Sequence, residues 1–178
     1  LKGAAAVLGL LTAAEAGGTA YFYRRTMKRY NARTERTIKM SGVEWEKYYP
    51  MMHERRDWMM EQPHEDVWIT SHDGLKLHAT YFKGDGGNKA VICFHGYTSK
   101  GLNDYGSLSW YYLKHGFRML LIDERAHGES EGTYIGFGTM DRLDGMEWIR
   151  WMIQEAGEDV QILLHGNSMG GATVCMMS

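Results

Sequence analysis

Residues 90–94 (Ala-Val-Ile-Cys-Phe) and 117–122 (Phe-Arg-Met-Leu-Leu-Ile) are apolar almost without a break, the pattern of strands covered on both faces. A third run, residues 160–164, has the same character. Ahead of them, residues 67–70 and 75–82 flank the turn Ser71-His72-Asp73-Gly74, and the second run alternates apolar with polar positions. That combination predicts a β-hairpin. Between the apolar runs the period changes. Leu143, Met146, Trp148, Ile149 and Met152 recur at helical spacing over residues 140–155, with Gly157 as the stop signal. Residues 108–114 predict a shorter helix ended by Gly116. Pro50 can open a helix that closes near Pro63 and carries Met52, Trp58 and Met59 on its apolar side; its expected role is packing against the domain. A hairpin followed by alternating strands and helices predicts an α/β domain with a mostly parallel sheet over residues 65–178.

The N-terminal stretch has a different pattern. Residues 4–23 are apolar or small except for Thr12, Glu15 and Thr19, and Arg24, Arg25, Lys28, Arg29 and Arg33 follow at once. About 20 such residues match a bilayer core as a helix, so residues 1–23 are expected to form a membrane anchor. A signal segment is the alternative, because Ala14-Glu15-Ala16 fits a small-x-small cleavage site; the protein would then be secreted. An Ala-rich soluble helix is the plainest reading. Basic residues on the C-terminal side favour a cytoplasmic domain, with Lys2 opposing, so the side of the membrane stays open. The cluster could equally bind anionic lipid head groups. Residues 24–64 read as a basic, helical connector, polar throughout residues 30–38.

Composition narrows the function classes. The 178 residues are 44% hydrophobic, enough for one cored domain, and the net charge of −2 gives no general attraction to nucleic acid. Cys93 and Cys175 make no disulfide framework and fall in runs expected to be buried. No Cys/His cluster has zinc-ligand spacing, and neither Gly-x-x-x-x-Gly-Lys-Ser/Thr nor Gly-x-Gly-x-x-Gly follows a strand. No metal or organic cofactor is implied.

The candidate chemistry lies at strand ends. Strand 160–164 runs into Gly166-Asn167-Ser168-Met169-Gly170 and then Gly171-Ala172. A Gly-x-Ser-x-Gly turn between strand and helix is a nucleophile elbow: strain holds the serine hydroxyl out of the sheet, and glycines let the turn close. The competing reading is a Gly-rich turn with a solvated serine. Ser168 is the candidate nucleophile. An oxyanion needs two backbone N–H donors, one following the nucleophile and one in the loop after an earlier strand. Met169 is the first candidate. Tyr97, in His95-Gly96-Tyr97-Thr98, is the second, with Thr98 its nearest alternative. Strand 117–122 feeds Asp123-Glu124-Arg125-Ala126-His127-Gly128-Glu129-Ser130, read as a rigid wall in which Asp123 and Arg125 could pair and His127 braces the loop. His53, His64, His72, His78 and His115 read as surface or turn residues, and His95 and His165 as structural residues at strand ends.

Three ordered motifs, His95-Gly96-Tyr97, Asp123-x-Arg125-x-x-Gly128-x-Ser130 and Gly166-x-Ser168-x-Gly170, give residues 65–178 a resemblance to the α/β-hydrolase superfamily. Within it, the chain resembles the bacterial serine aminopeptidase and monoacylglycerol-lipase-like group, often N-terminally anchored. The resemblance implies an eight-stranded, mostly parallel sheet, of which about five strands are present here. It also implies acyl transfer through an acyl-enzyme, with the nucleophile at Ser168 and oxyanion donors at Tyr97 and Met169. One feature departs from the family: the triad there runs Ser, Asp or Glu, then His, whereas no carboxylate or histidine follows Ser168. The chain also begins at Leu1 and ends inside an expected helix, so it is expected to be the N-terminal portion of a longer protein, with acid and base downstream.

The expected function is therefore hydrolysis of an ester, thioester or amide in a small-molecule or peptide acyl substrate. The rival expectation is a catalytically inactive binding or scaffold protein of the same fold.

Overall fold

The structure, a computed structural model, describes residues 2–29 and 44–178, apart from the side chains of residues 2–8 and 10. The polar stretch at residues 30–38 and Arg33 lie outside the described residues. Each apolar run becomes a strand: β1 (Glu65–Thr70), β2 (Lys76–Phe82), β3 (Lys89–Phe94), β4 (Arg118–Ile122) and β5 (Gln161–Gly166). Among the described residues these form one sheet in the order β1-β2-β4-β3-β5. β1 and β2 are the expected hairpin, and β2 also runs antiparallel to β4. β4, β3 and β5 are parallel. The sheet is thus mixed, with its parallel half carrying the motifs. Parallel neighbours need crossovers, which carry the chain over the sheet faces.

The helices are α1 (Lys2–Met27), α2 (Tyr49–Glu61), α3 (Gly101–Tyr105), α4 (Ser109–Lys114), α5 (Asp141–Ala156) and α6 (Met169–Met177). A 3-10 turn at Trp45–Tyr48 precedes α2. Side chains of β3 alternate between two cores. Ala90, Ile92 and Phe94 meet Trp148 and Met152 of α5, together with Leu120 and Ile122 of β4. Val91 and Cys93 meet Tyr105, Tyr112 and Met59 on the opposite face. Both faces of the central strands are covered, which is why their sequences are continuously apolar. α2 belongs to the second core through the fully buried Met59. Cys175 is exposed, contrary to expectation. α6 buries Met169, Gly170 and Thr173, a stripe whose opposite side holds residue 175.

Residues 1–23 also need correction. Among the described residues, no helix is long and apolar enough to cross a membrane, so the expected anchor finds no support. Glu15, Thr12, Thr19 and the glycines at 9, 17 and 18 dilute the apolar run. The boundary drawn after residue 23 falls inside α1. The end of α1 instead lies on the α/β domain. Lys28 bridges to Tyr134, Arg29 N–H donates to Thr133 O at 2.8 Å, and Ile135 N–H donates to Met27 O at 2.7 Å.

Candidate active site

At the end of β5 the backbone makes a turn that only particular residues allow. Ser168 has φ 51° and ψ −111° and directly precedes α6, a conformation that costs a non-glycine residue about 1–3 kcal/mol. A Cβ on Gly166 would lie 2.3 Å from Gly170 O, and one on Gly170 would lie 2.1 Å from Phe94 O. Both glycines are therefore required by close backbone approach. The turn is tied to the end of β3 by Asn167 N–H to Phe94 O (2.9 Å) and Gly170 N–H to His95 O (3.0 Å). Ser168 is exposed, and among the described residues no side chain is hydrogen-bonded to its hydroxyl.

The loop after β3 lies against this turn: a Cβ on Gly96 would be 3.5 Å from Ser168 Cβ. Its two candidate donors are in different states. Thr98 has φ 55°, and its N–H donates to His127 Nε2 at 3.2 Å. The N–H groups of Tyr97 and Met169 have no hydrogen-bond acceptor among the described residues.

Asp104 on α3 joins loop and turn. Its Oδ2 accepts from Gly96 N–H (2.6 Å) and from Asn167 Nδ2 (2.9 Å), while Oδ1 accepts from Ser99 Oγ (2.5 Å). Sequence reasoning missed both α3 and Asp104. A five-residue helix is too short to show a period, and one Asp after a Gly-containing loop is a common pattern; only the convergence of three donors reveals its role.

Two buried histidines support the loop from behind. His95 Nε2 accepts from Glu124 N–H (3.0 Å), so its proton is on Nδ1, which donates to Gly96 O (2.8 Å). His127 Nε2 accepts from Thr98, so its Nδ1–H donates to Arg125 O (3.0 Å). The rings meet edge to face at 4.7 Å. Burial lowers the pKa of His95, and burial followed by the charge His95 would carry lowers that of His127 to about 4. Both are neutral struts with their nitrogens engaged by backbone. His165 is engaged elsewhere too, with Nδ1 2.8 Å from the Tyr112 hydroxyl.

Glu124 is buried behind the same loop. Its Oε1 is 2.8 Å from Thr173 Oγ1 on α6, and its Oε2 has no hydrogen-bond partner among the described residues. Burial, then the nearby Asp141 charge, raises its pKa well above the ordinary carboxylate value. The Glu124 carboxyl group thus lies between β4 and α6.

The β4 loop is braced differently from the expected Asp123–Arg125 pair. Arg125 donates twice to Asp144 (2.6 and 2.7 Å) and twice to Asp73 (3.0 and 3.1 Å). Hydrogen bonding to Arg125, and then to Ser71, lowers the Asp73 pKa to about 2. Asp123 instead takes His78 Nδ1 at 2.9 Å, and His78 Nε2 lies 3.0 Å from Asp66. His78 is buried, not at the surface as expected. Burial lowers its pKa, but the two carboxylates outweigh that and raise it overall. Among the described residues, His72, Asp73 and Asp144 bring possible metal-ligand atoms within 4.8 Å of one another. The Arg125 guanidinium already occupies both carboxylates there and would repel a cation.

Residues 89–178 match the family model described as alpha/beta hydrolase fold. No curated protein matches the chain. Among solved structures, the Pyrococcus furiosus esterase Pf2001 is similar at 31% identity and a TM-score of 0.60, covering 66% of this chain and 48% of its own. An alpha/beta hydrolase from Novosphingobium aromaticivorans is 25% identical with a TM-score of 0.51, covering 65% and 39%. The esterase EaEST from Exiguobacterium antarcticum is 25% identical with a TM-score of 0.50, covering 62% and 38%. The chain spans about half the length, or less, of these structures.

Proposed function

The chain belongs to the α/β-hydrolase fold family, and on that footing we propose that it is a serine hydrolase acting through an acyl-enzyme on Ser168. Esterase neighbours support hydrolase chemistry in general, and carboxylester hydrolysis is our first assignment within it. Likeness to the serine aminopeptidase and monoacylglycerol-lipase-like group rests on the three motifs alone.

In this reading Ser168 Oγ attacks the acyl carbonyl carbon and its proton passes to a histidine base. The carbonyl π pair moves onto oxygen, where the Tyr97 and Met169 N–H groups hold the charge. Collapse expels the alcohol, thiol or amine, which takes the proton. Water then attacks the acyl-enzyme by the same route, releasing the acid and restoring Ser168. None of His95, His127 and His165 is assigned as that base, because each is engaged elsewhere.

The observation that carries the proposal is the strained Ser168 beside an N–H left without an acceptor at Tyr97, while the neighbouring Thr98 N–H is taken. The test is labelling of the full-length protein with a fluorophosphonate probe. Ser168 should be modified, and Ser168→Ala should lose both the label and ester hydrolysis. Failure of the folded wild-type protein to label or hydrolyse any ester, thioester or amide offered would overturn the enzyme reading in favour of an inactive binding or scaffold protein.

A further inference from the structure

Between the last turns of α1 and the loop after β3 lies an open cavity of about 870 Å³, within the size range of small-ligand sites. Of its ten lining residues, Arg24, Arg25, Lys28 and Arg29 are cationic and none is acidic. Arg29 is part of the docking, its guanidinium donating to the Ser130 and Gly128 carbonyls. Arg24 and Arg25 are exposed, and neither has an ion-pair partner among the described residues. Cations near a helix C-terminus are favoured by the helix dipole, which accounts for their presence but not for the wall they face. That wall is Tyr97 and Thr98. Tyr97 OH donates to Thr26 O at 2.9 Å, fastening the loop to α1. Thr98 is 6% exposed, and its buried hydroxyl has no hydrogen-bond partner among the described residues. An unpaired buried hydroxyl is costly, and the residue that carries it lines the cavity.

We propose that this cavity is a subsite for an anionic group, a carboxylate or phosphate, carried by the acyl substrate. Arg24 and Arg25 supply the charge, beside the loop that presents the Tyr97 N–H. The link to catalysis rests on the serine-hydrolase reading; the anion site itself does not.

The full-length protein and its Arg24→Glu/Arg25→Glu variant are compared on 4-nitrophenyl butyrate and mono-4-nitrophenyl glutarate, esters that differ in a terminal carboxylate. Glycerol 3-phosphate binding is measured in parallel by calorimetry. The variant should lose about tenfold or more in kcat/KM on the glutarate, keep its rate on the butyrate, and lose glycerol 3-phosphate binding. Equal effects on both esters, or none on either, with no glycerol 3-phosphate binding to the wild type, would overturn the subsite. If neither ester is hydrolysed and Ser168 fails to label, the hydrolase reading falls. The titration then decides the anion site alone: binding lost in the variant supports it, and no binding overturns it. Co-sedimentation with phosphatidylcholine vesicles, with and without phosphatidylglycerol, separates the remaining source of anions. Vesicle binding that disappears in the variant while both soluble readouts stay unchanged would assign the cations to a lipid surface and overturn the proposal.

Discussion

Lowering the pH from 7 to 4 puts a specific load on His127. In the folded protein its Nε2 accepts the Thr98 N–H, so a proton there would set two donors against each other under the loop after β3. Burial and then His95 hold its pKa near 4, against an ordinary value of 6.5. The unfolded chain therefore takes up a proton that the folded chain refuses. Stability falls as pH drops below 6.5 and levels off near 4, at up to about 1.4 kcal/mol per pH unit, or about 3 kcal/mol in all. Other groups act with the opposite sign or in other windows. His78, with its raised pKa, loses its contribution as pH rises above 6.5. Glu124, Asp141 and Asp144, raised mainly by burial, add stability as pH falls towards their ordinary values. Comparing wild type with His127→Asn cancels these shared terms. Urea unfolding followed by the fluorescence of the six tryptophans would give the difference at pH 7, 6, 5 and 4. The wild-type advantage should shrink by about 3 kcal/mol across that range. A pH-independent difference, or an NMR titration placing folded His127 near 6.5, would refute the argument.

Asp104→Asn keeps the shape of the side chain but turns an amide towards donors that need an acceptor. Steady-state kinetics should show kcat/KM down about tenfold or more, chiefly in kcat, and Asp104→Ala should be no better. Gly170→Ala forces a methyl group onto the Phe94 carbonyl, and thermal unfolding should show a loss of about 3 kcal/mol or more. Arg125→Ala strands the buried Asp144 and should cost about 3–5 kcal/mol at pH 7. Because protonation neutralises that carboxylate, the deficit measured by urea unfolding should narrow towards pH 4; a constant deficit would show that lost packing, not stranded charge, is the cause.

The periodic and continuous apolar runs specified the strands and the long α5, because each is a local pattern tied to one side-chain direction per residue. The Gly-x-Ser-x-Gly stretch likewise carried its own turn, since the two glycines are demanded by backbone contacts within a few residues and by the adjoining strand. Neither pattern could specify which groups meet across the sheet. Asp123 and Arg125 are two residues apart, yet they point to different partners, His78 and the Asp73–Asp144 pair. Asp104 gains its role from Gly96 and Asn167, the latter 63 residues away along the chain. Whether Thr98 or Tyr97 leaves an N–H open was decided by a histidine 29 residues downstream. The apolar look of residues 4–23 suggested a bilayer, whereas the end of that helix lies against a loop more than 70 residues distant. Short-range hydrophobic order and backbone sterics are written in neighbouring residues; the pairing of buried polar groups depends on which strands the fold sets side by side.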